Sequence, residues 1–171
     1  PLYTPLCTDE ANQSRDELFF GGINVFLQQK IPLFRRLPRW IDRLLDHPGL
    51  VRKLASRRSK NFQAAQLGPL TLSMVRGEQG HQRKEVRRLV DWLAGQPTFD
   101  LIHLSNLLIA GCVPALKRRF QVPLVATLQG DDLFLESLPA SYRIQVMQQL
   151  RELAGAIDRF IVPAQAYAQT M

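Results

Sequence analysis

No apolar run in this chain approaches the roughly 20 residues that a membrane-spanning helix needs. No basic start precedes Pro1-Leu2-Tyr3-Thr4-Pro5-Leu6, so a secretory leader is not expected. The first residue is not Met, and the last expected helix, Ala164 onward, is cut at Met171, which reads as a fragment trimmed at both ends. Cysteine is scarce. Cys7 and Cys112 stand far apart with no CxxC spacing, which fits a reducing, cytoplasmic compartment better than a disulfide scaffold. His47, His81 and His103 are scattered, so metal-ligand spacing is missing as well. There is no G-x-G-x-x-G and no Walker loop, which argues against an ordinary dinucleotide or nucleoside triphosphate site. There is no G-x-S-x-G elbow to support Ser-His-Asp catalysis.

What is present is an ordinary globular composition with 46% hydrophobic residues and a lopsided charge. From Arg35 to Lys60 there are nine Lys or Arg against two Asp, which is the entire +7 of the chain. The excess therefore calls for a local explanation. Three readings stay open: a solvated helical face, a surface for anionic lipid with Trp40, Leu44 and Leu45 at the interface, or a patch that steers a phosphorylated partner. Nucleic acid is disfavoured because aromatics are not interleaved with the basic residues.

Length and the lack of repeats or linkers predict a single domain over 1–171. Leu2-Tyr3-Thr4 reads as the end of a strand, and Pro5 to Glu17 as a polar loop. Gly21-Gly22 then opens a run in which Ile23, Phe26, Leu27 and Ile31 share a helical face. Two glycines expose backbone N–H groups, and a helix start favours negative charge, so this turn suits a phosphate. Pro38 and Pro48 start two further helices. Leu70 to Val75 fits strand and helix equally. Glu85 to Leu93 is helical, with Val86, Leu89, Val90 and Leu93 inward.

From Asp100 the pattern alternates. Asp100 to Ser105 is a strand and Leu107 to Phe120 a helix. Pro123 to Leu128 is a near-continuous apolar strand, as expected where helices cover both faces of a sheet. Ser141 to Ala154 is a helix, Arg159 to Val162 a strand, and Ala164 onward a helix. This order predicts an α/β domain, Rossmann-like and three-layered, with a mostly parallel sheet. Ligands of such sheets sit beyond the carboxyl ends of the strands. That rule selects the Gly21-Gly22 turn, Ser105-Asn106, Gln129-Gly130-Asp131-Asp132 and Pro163-Ala164. Each has a plain structural reading too. Ser105-Asn106 and the Asp pair suit helix caps, and His103, between apolar neighbours, suits a core histidine.

Three segments together resemble the N-terminal domain of GT-B glycosyltransferases, the retaining family-four group in particular. They are Phe20-Gly21-Gly22-Ile23-Asn24-Val25-Phe26-Leu27, Asp100-Leu101-Ile102-His103-Leu104-Ser105-Asn106, and Val122-Pro123-Leu124-Val125-Ala126-Thr127-Leu128-Gln129-Gly130. The resemblance spans most of the chain except Arg35 to about Gly80. It implies one half of a two-domain enzyme that moves a sugar from a nucleotide-sugar donor to a glycan, lipid or small-molecule acceptor. The donor-binding domain, with its paired glutamates, is absent from this sequence. It implies that Gly21 and Gly22 approach the donor diphosphate, and that Gln129 and Asp131 are the candidate catalytic residues. Asn24, Ser105, Asn106, Gly130 and Asp132 become candidates for holding the acceptor. No metal or other cofactor is implied.

Gln129 stands where the family commonly has His, and Ser105 where many relatives have a second His. Gln donates and accepts hydrogen bonds but does not titrate. The expected partners are the donor, a sugar or lipid-linked acceptor, the missing domain and an anionic inner membrane face, with no nucleic acid. A sugar-nucleotide epimerase on the same fold and a non-catalytic membrane-docking module are the alternatives.

Overall fold

The computed structural model describes residues 64–170, with side chains described from Leu67 to Gln169. The expected strand at Leu2-Tyr3-Thr4, the Gly21-Gly22 turn with Asn24, and the basic segment Arg35 to Lys60 lie outside the described residues. The described part is α/β, with a small open sheet of three parallel strands among helices.

The ambiguous stretch resolves as helix. α1 spans Ala64–Val75, with Pro69 inside it. The Leu-Thr-Leu-Ser alternation that imitates a strand is overridden by packing: Thr71, Leu72, Ser73 and Val75 are all buried. A turn at Gly77–Gln79 leads to α2, Arg83–Ala94. Val86 and Leu89 of α2 are buried as expected, while Val90 and Leu93 are only half-buried. The buried residues at the start of α2 that the sequence pattern does not mark are polar. Gln82 and Glu85 are fully buried. Ser73 Oγ donates to Gln82 Oε1 at 2.6 Å and accepts from the His81 N–H at 2.8 Å, which latches α1 to the start of α2. Glu85 lies 3.7 Å from the Arg88 guanidinium one turn on.

β1 is Ile102–Leu104, β2 is Leu124–Thr127 and β3 is Arg159–Ile161, in the order β1-β2-β3. Ile102 pairs with Leu124 and His103 with Val125, while Val125 pairs in turn with Arg159 and Thr127 with Ile161. The single helix expected over Leu107 to Phe120 is two pieces. A 3-10 helix, Leu107–Cys112, gives way to α3, Val113–Arg119. Pro114 sits in the first turn of α3, where its missing N–H is no loss. α4, Asp131–Ser137, and α5, Ala140–Ala154, connect β2 to β3, and α6, Gln165–Thr170, follows β3.

The sheet has unlike faces. Leu104, Leu124 and Ala126 are at most 1% exposed on one of them. Burying each such leucine contributes about 1.5–3 kcal/mol. On the other face Val125 and Thr127 are half-buried and His103, Arg159 and Ile161 are exposed. β2 therefore alternates along its length, contrary to the expectation of a strand covered equally on both sides. The expected core histidine is likewise at the surface.

Backbones approach closely around Gly111. Gly77, with φ of +54°, lies against Gly111 of the 3-10 helix, and a Cβ on it would collide with the Gly111 carbonyl oxygen. A Cβ on Gly111 would collide with the Met74 carbonyl oxygen. Asp158, just before β3, ties the other end of the sheet. Its Oδ2 accepts from the Leu124 N–H at 2.6 Å and pairs with Lys117 of α3.

Candidate functional site

The residues singled out after β1 and β2 meet at one edge of the sheet, beyond the carboxyl ends of the strands. Asn106 leaves β1 in an extended conformation, and its Oδ1 accepts the Leu108 N–H at 3.0 Å. This is the N-cap role that its position suggests, satisfying a donor that the 3-10 helix leaves unpaired. Ser105 beside it is exposed.

After β2 the chain turns sharply. Gly130 sits at φ 71°, ψ 6°, a left-handed conformation that glycine adopts without steric cost. A Cβ at Gly130 would have open space around it, so the demand there is conformational. The turn leaves Gln129 and Gly130 exposed and drives Asp131 inward to 2% exposure. Leu107 N–H donates to Asp131 Oδ2 at 3.4 Å. Burial raises the Asp131 carboxyl above its ordinary value of 3.8, against the pull of bonds from the Leu107 and Gln129 N–H groups, and the neighbouring Asp132 charge raises it further. A raised carboxyl has the chemistry of a general acid or base. Here it faces the start of the 3-10 helix that follows β1 and acts on the backbone.

Asp132 is half-buried and turns elsewhere. Tyr167 Oη donates to its Oδ1 at 2.9 Å. Tyr167 lies in α6, the helix that follows β3. Burial, and then the bond to Asp132, raise its phenol above the ordinary value of 10.0. Two adjacent carboxylates thus tie the turn after β2 to the segments after β1 and β3.

The structure brings Asn106, Asp131 and Asp132 together through the backbone of Leu107 and the side chain of Tyr167, and it leaves Ser105, Gln129 and Gly130 exposed at the same sheet edge. Gly21, Gly22 and Asn24 lie outside the described residues. Two polar residues escaped the reading from sequence. Tyr167 carries a weak signal, since it falls four residues past Pro163, a position selected by the strand-end rule. The second is Thr127, whose Oγ1 lies 2.7 Å from His103 Nε2 on the open face of the sheet.

Among the described residues no group of three or more His, Cys, Asp or Glu is placed to hold a metal ion. No helix among them is long and apolar enough to cross a membrane. An open groove of about 250 Å³ lies away from this edge, between α2 and α3. Its Glu78 carboxylate pairs with Arg118 and lies 3.8 Å from Arg87. No family model, curated protein or solved structure matches the chain.

Proposed function

We propose that this chain is the acceptor-side domain of a GT-B glycosyltransferase that uses a nucleotide-sugar donor with retention of configuration. One observation carries the reading. The segments Asp100 to Asn106 and Val122 to Gly130 lie on adjacent parallel strands, β1 and β2, and both end in polar turns at the same sheet edge. This is where open α/β sheets present their ligands.

In this reading Gly21-Gly22 offers backbone N–H groups to the donor diphosphate, held mostly by a second domain. The leaving phosphate takes the acceptor proton, so the main catalytic task is to stabilise developing phosphate charge. Gln129, exposed at the turn, hydrogen-bonds the sugars without titrating. Asp131 braces the turn through Leu107, and Ser105, Asn106, Gly130 and Asp132 border the acceptor. No protein-bound metal takes part. The basic segment Arg35 to Lys60 draws the domain to an anionic inner membrane face, where a lipid-linked acceptor lies.

The test is turnover of a panel of nucleotide sugars by the product of the full gene, beside its Gly22→Val variant. Sugar transfer by the parent, lost in the variant with an unchanged melting temperature, supports the reading. A parent that transfers no sugar from any donor removes it. Equal turnover in the variant removes the role of the glycine turn.

A further inference from the structure

Tyr167 has no counterpart in the motifs that suggested the site. Its Oη is nonetheless 2.9 Å from Asp132 Oδ1, although 35 residues separate the two in sequence. The same turn is held on its other side by Asp131, which accepts from Leu107 N–H. The Gln129 to Asp132 turn is therefore fixed from both flanks. One flank is backbone on a buried carboxylate, and the other is a phenol on a half-buried one. The second is the softer restraint. It joins two side chains, and it is made by a six-residue helix rather than by the core.

We infer that Tyr167 is a positioning residue of the candidate site, holding the Asp132 carboxylate and the exposed Gln129-Gly130 turn beside it in the arrangement that receives the acceptor's hydroxyl groups. The inference rests on the glycosyltransferase reading and adds a residue to it. The phenol donates to Oδ1 and leaves Asp132 Oδ2 with its lone pairs free of that bond. A carboxylate with one oxygen anchored presents the other in a defined direction, which is what recognition of a polyol needs. Neutral amides such as Gln129 complete that recognition with both donors and an acceptor. A tyrosine loses little rotamer freedom in holding the contact, having only two side-chain torsions.

The experiment uses the product of the full gene with Tyr167→Phe, Asp132→Asn and the double substitution. Tyr167→Phe is expected to raise the acceptor KM about tenfold, the scale of one hydrogen bond. The donor KM and the melting temperature stay unchanged. The double variant is expected to be no worse than Asp132→Asn alone, because the two residues act as a unit. An unchanged acceptor KM in Tyr167→Phe, or additive effects in the double variant, would overturn the inference. So would a fall in melting temperature with donor and acceptor KM rising together, which marks a merely structural role. A readout independent of turnover is the phenolate absorbance of Tyr167, isolated by difference against Tyr167→Phe. Its ionisation is expected to shift downward in Asp132→Asn, and no shift would show that the clasp is not formed. Absent sugar transfer in the parent would remove the acceptor role together with the reading beneath it, while the titration still reports whether Tyr167 and Asp132 are joined.

Discussion

Leu107 N–H donates to Asp131 Oδ2 at 3.4 Å, so a carboxylate from the turn after β2 stands at the head of the helix after β1. The bond crosses two adjacent strand ends, and Asp131 is only 2% exposed. Removing the carboxylate strands the Leu107 donor. Asp131→Ala is therefore expected to cost about 1–3 kcal/mol of stability, read from urea denaturation. Asp131→Asn keeps an acceptor oxygen and is expected to cost less.

The same residue predicts a pH dependence. Burial raises the folded carboxyl above its ordinary 3.8, so the folded chain holds this proton more tightly than the unfolded one. By linkage, the contribution of Asp131 to stability falls as pH climbs from that ordinary value through the higher folded one. Asparagine has nothing to ionise. The melting temperature of Asp131→Asn is expected to gain on the parent's as pH rises from 4 to 8, with the gain complete once Asp131 is ionised. A constant difference across that range contradicts the buried-carboxyl assignment.

Asp158 behaves in the opposite sense. Its bonds from Lys117 and from the Leu124 N–H hold the carboxyl below the ordinary 3.8. A lowered folded value means that the stabilising effect is present above the unfolded value and is lost as pH falls through the folded one. Asp158→Asn is expected to lower the melting temperature at neutral pH, and that deficit is expected to shrink below pH 3.8. The side chain is exposed, so the effect is modest and is reduced by added salt.

Gly111→Ala tests the close approach between the 3-10 helix and α1. The new methyl group would meet the Met74 carbonyl oxygen, which is backbone and has little freedom to retreat. Overpacking of this kind costs about 1–3 kcal/mol, occasionally more. The expected result is a clear drop in melting temperature by circular dichroism. An unchanged melt would mean that the α1 turn and the 3-10 helix do not cross as described.

The parts that were legible in sequence are those where one pattern dominates. Pro123 to Leu128 reads as a strand, and Leu124–Thr127 within it is one. Ala140–Ala154 and Gln165–Thr170 also fall within a residue or so of their expected starts. Where the reading stopped short, tertiary contacts decide. Nothing in the residue types of Gln82 and Glu85 marks them as buried, because their burial comes from the packing of α2 and, for Gln82, from a latch to Ser73. His103 looks interior beside Ile102 and Leu104, yet alternation sends it to the open face. At the candidate site the turn was legible from Gln129-Gly130 and a cap from Ser105-Asn106, of which the structure selects Asn106. The different fates of Asp131 and Asp132 were not. Adjacent residues of one type diverge here because a left-handed Gly130 aims the first inward and leaves the second within reach of α6.

Gln129 offers the sharpest test of the chemistry proposed for this edge. It is exposed at the turn, at the position where the family proposed above commonly carries His. An amide has no proton to lose between pH 5 and 9, so the parent's kcat/KM for sugar transfer carries no limb from this position. Imidazole does titrate there, with an ordinary value of about 6.5. Gln129→His is expected to retain transfer and to add a limb near that pH, read by comparing kcat/KM profiles of parent and variant. Gln129→Ala, which can neither donate nor accept, is expected to lose roughly tenfold in kcat/KM at every pH, the scale of one hydrogen bond. A limb that is already present in the parent and survives in Gln129→Ala would place the titrating group elsewhere. If all three proteins transfer sugar alike, Gln129 does not meet the substrate.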